Sequence, residues 1–275
     1  MSFLKLLRYD MRCGLFRKRY LLVPLLALLP CCLYLKIMDS MEARSSWTGC
    51  MMYCFMGIEP IEIMDTMEKA QLPVLWLILI CGCLYLNLDY MLNDLSRVGQ
   101  QIIIRSGKRV NWYISKCLWN LCSCTLYFVV VSVTGAFLVY MKEGHLPIDC
   151  SISTLSVLYR GEPDAEVFST CVAFLVSFLL PLMTVSALSI LQMTLCMLIK
   201  PIFAFLSSLL ILLTSIYWNS SLILGNGAMG IRSGLLVSEG ISPWAVIIEC
   251  VVVILLCISF GSGVFKRCNI IGEKE

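Results

Sequence analysis

Long apolar stretches separated by short polar segments dominate the pattern along this chain of 275 residues. Six stretches are long enough to cross roughly 30 Å of hydrocarbon as helices, which takes about 20 residues each. The stretch from 167 to 218 is nearly continuous, but it is too long for one crossing, so Gln192, Lys200 and Pro201 mark a tight turn within it. The pattern predicts an all-α, polytopic membrane protein, a single transmembrane domain over residues 1–275 with spans at about 20–38, 72–92, 117–140, 167–191, 201–218 and 243–265.

Composition supports the same class of protein. Hydrophobic residues make up 59% of the chain and charged residues 14%, whereas soluble domains have about 45–50% and about 25%. So few charges cannot cover a surface that faces water. The composition therefore argues against a soluble enzyme, a disordered chain and a nucleic-acid-binding protein.

The distribution of charge predicts the orientation. With the N-terminus inside, 15 of the 21 Lys and Arg residues fall on the inner side, and 13 of the 18 Asp and Glu residues fall outside or near the outer face. Basic residues accumulate in cytoplasmic segments of membrane proteins. We therefore expect six transmembrane helices with the N- and C-termini cytoplasmic, and a first span that is retained rather than cleaved as a signal peptide.

Residues 1–19 precede the first span and carry an amphipathic pattern. Leu4, Leu7, Met11 and Leu15 recur at helical spacing, and basic residues gather on an adjacent face. This is typical of an interfacial helix that turns its basic groups toward anionic lipid. The alternative is that these residues only flank the first span as ordinary positive-inside charge.

The longest cytoplasmic segment, residues 93–116, holds five basic residues, a β-branched run at 102–104 and a turn at Ser106-Gly107. It is too small to fold as an independent domain. An exposed basic and aromatic patch between two membrane helices suits docking to another protein. The alternative is solvated positive-inside charge.

The outer segments carry little patterned chemistry. Residues 39–71 are acidic, and the segment 219–242 is rich in glycine. Residues 225–230 match G-x-G-x-x-G letter for letter, but a dinucleotide site needs a strand before the motif and a helix after it. We interpret this motif as a re-entrant turn or loop.

No motif indicates catalysis. The sequence around Lys108 lacks the glycine spacing and the following hydroxyl of a Walker A motif. His145 is the only histidine and lies in an outer loop. Most of the 16 cysteines lie within spans, where cysteine behaves as a small apolar residue. We therefore expect no catalytic residue, cofactor or metal site, although Cys50, Cys54 and Cys150 lie outside and could form disulfides.

Three polar residues within or beside the spans are candidates for a pathway. Glu249 in the last span is an intramembrane acid, which is a functional hypothesis by default. It either pairs with Arg232 or lines an outward-facing cavity. Asn87 and Asp89 near the inner end of the second span are similar candidates, and we expect them to pair with inner arginines.

The chain resembles the permease subunits of type-2 ATP-binding-cassette exporters, above all those of bacterial peptide-antibiotic export and immunity systems. The residues that carry the resemblance are Gly99, Ile104-Arg105-Ser106, Arg109, Trp112 and Lys116 between spans two and three; Gly225-Asn226, Met229 and Arg232-Ser233 before span six; and Gly263, Phe265, Lys266 and Arg267 at the end. The resemblance covers the whole chain, but each motif is short. It identifies the class better than it identifies the cargo.

The resemblance implies an ATP-binding-cassette permease in the bacterial plasma membrane that exports an antimicrobial peptide or another amphipathic compound. Its partners would be an ATPase subunit, which binds ATP and Mg, and a second permease of the same or a homologous sequence. The N-terminal helix and a cytoplasmic coupling loop would receive the movement of the ATPase, with the coupling candidates Asp94, Arg97, Arg105, Arg109 and Trp112. The alternative is a membrane immunity, sensor or scaffold protein that transports nothing.

Overall fold

A computed structural model describes residues 3–15, 18–60, 72–106, 109–148, 169–237 and 240–267. These residues are mostly helical and contain no β-strand beyond one isolated bridge, between Ser233 and Ile241. The all-α prediction is therefore confirmed for the described part of the chain. The helices are α1 Phe3–Leu15, α2 Leu22–Ser40, α3 Trp47–Cys54, α4 Val74–Leu88, α5 Tyr90–Asp94, α6 Gln100–Ser106, α7 Arg109–Glu143, α8 Thr170–Phe174, α9 Leu180–Leu195, α10 Pro201–Tyr217 and α11 Pro243–Arg267.

Five helical segments of the described chain are long and apolar enough to cross a membrane: Lys18–Ser40, Val74–Asp94, Arg109–Glu143, Thr170–Leu195 and Pro243–Phe265. The protein therefore has the character of an integral membrane protein. The helix α10 is apolar but shorter, at 17 residues. The helix α10 begins at Pro201. Proline suits this position because a backbone N–H in the first turn has no helical partner.

The predicted loop 93–116 is helical in its described part. A π-helical turn, Leu95–Gly99, joins α5 to α6, and α7 already begins at Arg109. A second π-helical turn, Leu175–Leu179, joins α8 to α9. The β-branched run at 102–104 lies within α6, so the helical context overrides its strand preference.

The helices meet in two buried apolar clusters. The larger one runs along α2, α3, α4, α7 and α9, and the smaller one includes Leu6, Ile103, Trp112 and Phe265. The smaller cluster lies where α1, α6 and the start of α7 meet, which we call the α1 end of the bundle. The opposite end, where α3 and the end of α7 meet, is called the α3 end.

The helix α3 is buried along most of its length. Ser46 caps it by accepting a hydrogen bond from the backbone N–H of Gly49 at 3.1 Å. Thr48, Met51 and Met52 are 1% exposed, and Cys50 and Cys54 are fully buried. This part of the predicted outer segment therefore enters the bundle instead of lying on its surface.

Residues 224–236 also pack inside the α3 end. Two 3-10 turns, Leu224–Ala228 and Gly230–Arg232, carry the glycine-rich motif. The backbone N–H groups of Gly230 and Ile231 donate to the carbonyls of Phe55 and Met56 at 2.9 and 3.1 Å. A side chain at Gly225 would come within 2.3 Å of the Ser215 hydroxyl. The glycines here serve close packing, and no strand precedes the motif among the described residues.

Candidate functional site

A buried group of charged side chains lies at the α1 end. Asp10 of α1 and Lys116 of α7 are fully buried, and Asp94 at the end of α5 is 9% exposed. The Lys116 ammonium contacts the Asp10 carboxylate, and it lies 2.6 Å from Oδ2 of Asp94. We call these three residues the charge triad. It joins the N-terminal helix, the segment between α4 and α7, and α7 itself.

Neutral donors and aromatic rings complete the surroundings of the charge triad. Ser115 and Tyr90 donate hydrogen bonds to the Asp10 carboxylate at 2.5 and 3.0 Å. The Lys116 ammonium also lies 4.7 Å from the ring centre of Tyr90 and 4.9 Å from that of Trp112. Cations bind favourably to the faces of such rings. These contacts offset much of the cost of burying the charges.

The charge triad contributes to a raised pKa of the neighbouring Tyr9. Partial burial and the negative charge of Asp94 raise the pKa of Tyr9 to about 12, because both disfavour the phenolate. Tyr9 is protonated at neutral pH, as an ordinary tyrosine is, and the shift extends that state to more alkaline pH.

Close packing holds α1 against α7 beside the triad. An added Cβ at Gly14 would come within 2.0 Å of Nε1 of Trp119. Leu6, Asp10 and Gly14 are the buried residues of α1, and Lys5, Arg8 and Arg12 on its other faces are exposed. The helix therefore has one face fitted to the bundle and another that presents basic groups.

Two predicted coupling residues are not part of an exposed docking patch. Asp94 belongs to the buried triad, and Trp112 is fully buried and stacks on Phe265 with ring centres 4.9 Å apart. The expected exposure of Trp112 is wrong because α7 begins eight residues before the predicted span, so Trp112 and Lys116 lie one turn apart on a face that packs against the bundle.

The remaining coupling candidates lie in or beside α6. The backbone at Arg97 is part of the π-helical turn, and that at Arg105 is part of α6, but both side chains lie outside the described part of the structure. Arg109 begins α7 and is half-buried.

The pathway candidates lie in different surroundings. Asn87 is 3% exposed and lies among α4, α7 and α9, where its side-chain amide accepts from Ser123 and donates to Ser189 at 3.2 Å. Among the described side chains it pairs with no arginine, contrary to the expectation. Asp89 does pair with an arginine. Its Oδ2 atom lies 3.2 Å from Nη1 of Arg19, and both side chains are partly exposed.

Glu249 lines a cleft of about 360 Å³ between α10 and α11 at the α3 end. Its neighbours in the cleft wall are mainly apolar, including Leu210, Leu222 and Val253, with Thr214 as a further polar group. The cleft is partly open to its surroundings, and Glu249 is the one carboxylate among its lining residues. Within the described residues, Glu249 forms no ion pair with Arg232, so that expected pairing is wrong.

Arg232 instead binds backbone carbonyls. It is 2% exposed, and its guanidinium donates to the carbonyls of Ile58 at 2.9 Å, Ile216 at 2.8 Å and Ser215. The side-chain oxygen of Asn226 accepts a further hydrogen bond from it. Burial lowers the pKa of Arg232 to about 10, so it remains a cation at neutral pH. We call this arrangement the arginine cage; it ties the turns 224–232 to α10 and to residues 58–59.

Two groupings were not predicted from the sequence. One is the charge triad, because Asp10 and Lys116 are 106 residues apart in the chain. The other consists of Cys31, Cys50 and Cys54, whose sulfurs all lie within 4.8 Å of one another. Only the spacing of Cys50 and Cys54, one helical turn apart, offered a signal in the sequence.

Comparison with known proteins gives one result. No curated protein and no solved structure matches the chain. Residues 25–271 match the model of a family described as protein of unknown function (DUF2705). Because this match covers most of the 275 residues, the chain belongs to the DUF2705 family.

Proposed function

We propose that this chain is the permease subunit of an ATP-binding-cassette exporter in the bacterial plasma membrane. It spans the membrane six times with both termini cytoplasmic. It moves an amphipathic compound, such as an antimicrobial peptide, outward with ATP hydrolysed by a separate subunit. A second permease, identical or homologous, completes the pathway.

The observation that carries the proposal is the charge triad. A permease driven by a separate ATPase needs cytoplasmic segments that move together with its spans. Asp10, Asp94 and Lys116 link α1, the segment between α4 and α7, and the longest helix into one unit at a single end of the bundle. A push on that segment would therefore reach α7, which has 35 residues, enough to extend through the bilayer.

Three further features support the proposal. The 17 residues of α10 lie at the short end of the range of about 17–25 residues for a spanning helix, so α10 can serve as the sixth span. The bias of basic residues toward α1, α6 and the chain's end favours a cytoplasmic α1 end. Exposed apolar side chains on α11, such as Ile248, Leu256 and Phe260, suit contact with lipid or a second permease.

Co-expression with an ATP-binding-cassette ATPase encoded by a neighbouring gene tests the proposal. Reversing Arg105 and Arg109 to glutamate should release the ATPase from the purified complex, or stop cargo from stimulating ATP hydrolysis. Arg44→Glu is the matched control, because Arg44 is exposed and lies at the α3 end of the bundle. It should leave the complex intact.

Each result separates the two candidate functions. Loss of the ATPase in the charge-reversal variant, with retention in the control, supports the exporter. Absence of any complex with the unaltered chain contradicts it and favours an immunity or sensor protein without an ATPase.

A further inference from the structure

Three thiols meet deep inside the α3 end. Cys31 of α2 and Cys50 and Cys54 of α3 are fully buried, and their sulfurs lie within 4.8 Å of one another. The sulfurs of Cys31 and Cys54 are 3.9 Å apart. We call these three residues the thiol cluster. Among the described residues, no fourth cysteine, histidine or carboxylate joins it.

The backbone around the thiol cluster leaves room for it. A Cβ added at Gly135 of α7 would lie 3.3 Å from the sulfur of Cys50 and 3.6 Å from that of Cys31. The first distance is tighter than ordinary packing, so glycine at this position lets α7 approach without displacing the thiols. Cys50 and Cys54 are one helical turn apart, which places both on the face of α3 toward Cys31.

The separation of the sulfurs suits one ion bound by three of them. A bond of about 2.3 Å, typical of zinc and thiolate, brings three sulfurs around one ion to within about 4 Å of each other. The observed 3.9 Å between Cys31 and Cys54 meets that limit. Soft sulfur ligands also select soft, thiophilic ions over hard ones.

Burial decides the charge of that ion. The thiol cluster belongs to the large apolar core, whose members Tyr34, Phe55 and Phe128 are also buried. A net charge at such a place costs free energy. Three thiolates leave two negative charges around a monovalent ion and one around a divalent ion, whereas a trivalent ion gives a neutral complex.

We infer that Cys31, Cys50 and Cys54 form a binding site for a trivalent thiophilic ion such as As(III), Sb(III) or Bi(III). In binding arsenite, As(OH)3, each thiol gives its proton to one hydroxide, three water molecules leave, and three As–S bonds replace three As–O bonds. No electron is transferred and no net charge appears. The bound ion would fasten α3 to α2. This inference is independent of the proposed exporter function.

Arsenite is the probe for the test. The full-length protein is purified in detergent with reductant, desalted, incubated with arsenite and passed over a sizing column, and the retained arsenic is measured by mass spectrometry. The intact chain should retain about one arsenic tightly, because the fold already brings the three sulfurs within 4.8 Å of one another. Cys31→Ser, Cys50→Ser and Cys54→Ser should each lose it.

Cys83→Ser is the matched control, because Cys83 is 1% exposed in the same core but outside the thiol cluster. It should retain arsenic as the intact chain does. Arsenic retained by all three cluster variants, or lost to the same extent in Cys83→Ser, would overturn the inference. So would a disulfide between two cluster residues in protein isolated without reductant.

A measurement on the unaltered chain covers the case in which the variants do not fold. Arsenite should raise the temperature of unfolding, since a ligand that binds only the folded state stabilises it. X-ray absorption at the arsenic edge should show three sulfur neighbours. A shell of two sulfurs and one oxygen, or displacement of arsenite by an equal concentration of Zn²⁺ or Cu⁺, would overturn the assignment of a neutral trivalent complex.

Discussion

The two ends of the bundle each bury a cation, but they satisfy it in different ways. At the α1 end, Lys116 lies between two carboxylates from other helices. At the α3 end, the guanidinium of Arg232 donates to backbone carbonyls and to Asn226. Within the described residues, the arginine cage contains no carboxylate partner. The charge triad therefore holds segments together through ionised side chains, and the arginine cage does so through neutral acceptors.

This difference has a physical consequence. The triad carries one more negative charge than positive, so removing its single cation leaves two buried carboxylates without a counterion. The cage depends on the planar fork of arginine, which can reach several carbonyls at once. Disturbing one end should therefore loosen that end while the other keeps its structure.

The largest effect is expected from Lys116→Met. This change leaves the carboxylates of Asp10 and Asp94 buried without their cation, which should cost about 3–5 kcal/mol of unfolding free energy. Denaturation of the purified protein in mild detergent, followed by tryptophan fluorescence, measures it. Lys36→Met is the control, because Lys36 is exposed on α2 and should change stability by less than about 0.5 kcal/mol.

A triple variant sharpens this prediction. Adding Asp10→Asn and Asp94→Asn to Lys116→Met removes the uncompensated charge, so part of the lost stability should return. If the triple variant is less stable than Lys116→Met alone, charge is not the source of the effect.

Arg232→Met should have the next largest effect. It leaves the buried carbonyls of Ser215, Ile216 and Ile58 without a donor, at about 1–3 kcal/mol for an unsatisfied group. Arg232→Lys should recover only part of this, because an ammonium lacks the fork that spans the separate acceptors. Full stability of Arg232→Lys would show that charge alone, rather than the geometry of the cage, holds this end together.

Gly14→Ala tests the packing beside the triad. The added methyl group would collide with Trp119, so overpacking should cost about 1–3 kcal/mol and tilt α1 away from α7. Gly263→Ala is the matched control in α11, because nothing lies within 4 Å of an added Cβ there. The control should keep its stability or gain a few tenths of a kcal/mol.

The smallest effect is expected from Asp89→Asn. The ion pair between Asp89 and Arg19 spans 3.2 Å, but both side chains are partly exposed to solvent. Exposed pairs contribute about 0–1 kcal/mol. A loss as large as that of Lys116→Met would mean that this pair also is part of the buried network.

The sequence predicts the helical class and the apolar segments because both depend on local patterns of 17 to 25 residues. It does not predict which charges become buried. Lys116 has the same sequence signature as the exposed bases of a cytoplasmic loop, and its partner Asp10 lies 106 residues away. Local spacing gives no indication of such a distant contact.

The arginine cage shows a second limit of sequence reasoning. The sequence offers Glu249 as one possible partner of Arg232 because charged side chains are visible in a sequence, whereas the carbonyls that bind Arg232 belong to every residue. Similarly, α3 is buried although the acidic character of residues 39–71 indicated an outer surface segment. Most of the acids responsible for that character follow α3 along the chain rather than lying in it.

Hydrogen–deuterium exchange tests most directly the central claim that the two ends are separate units, each held by its own buried cation. In Lys116→Met, exchange should rise together in α1 and in residues 95–106, while residues 224–236 keep their protection. In Arg232→Met, the pattern should be reversed. Faster exchange at both ends in either variant, or unchanged protection of α1 in Lys116→Met, would contradict the account.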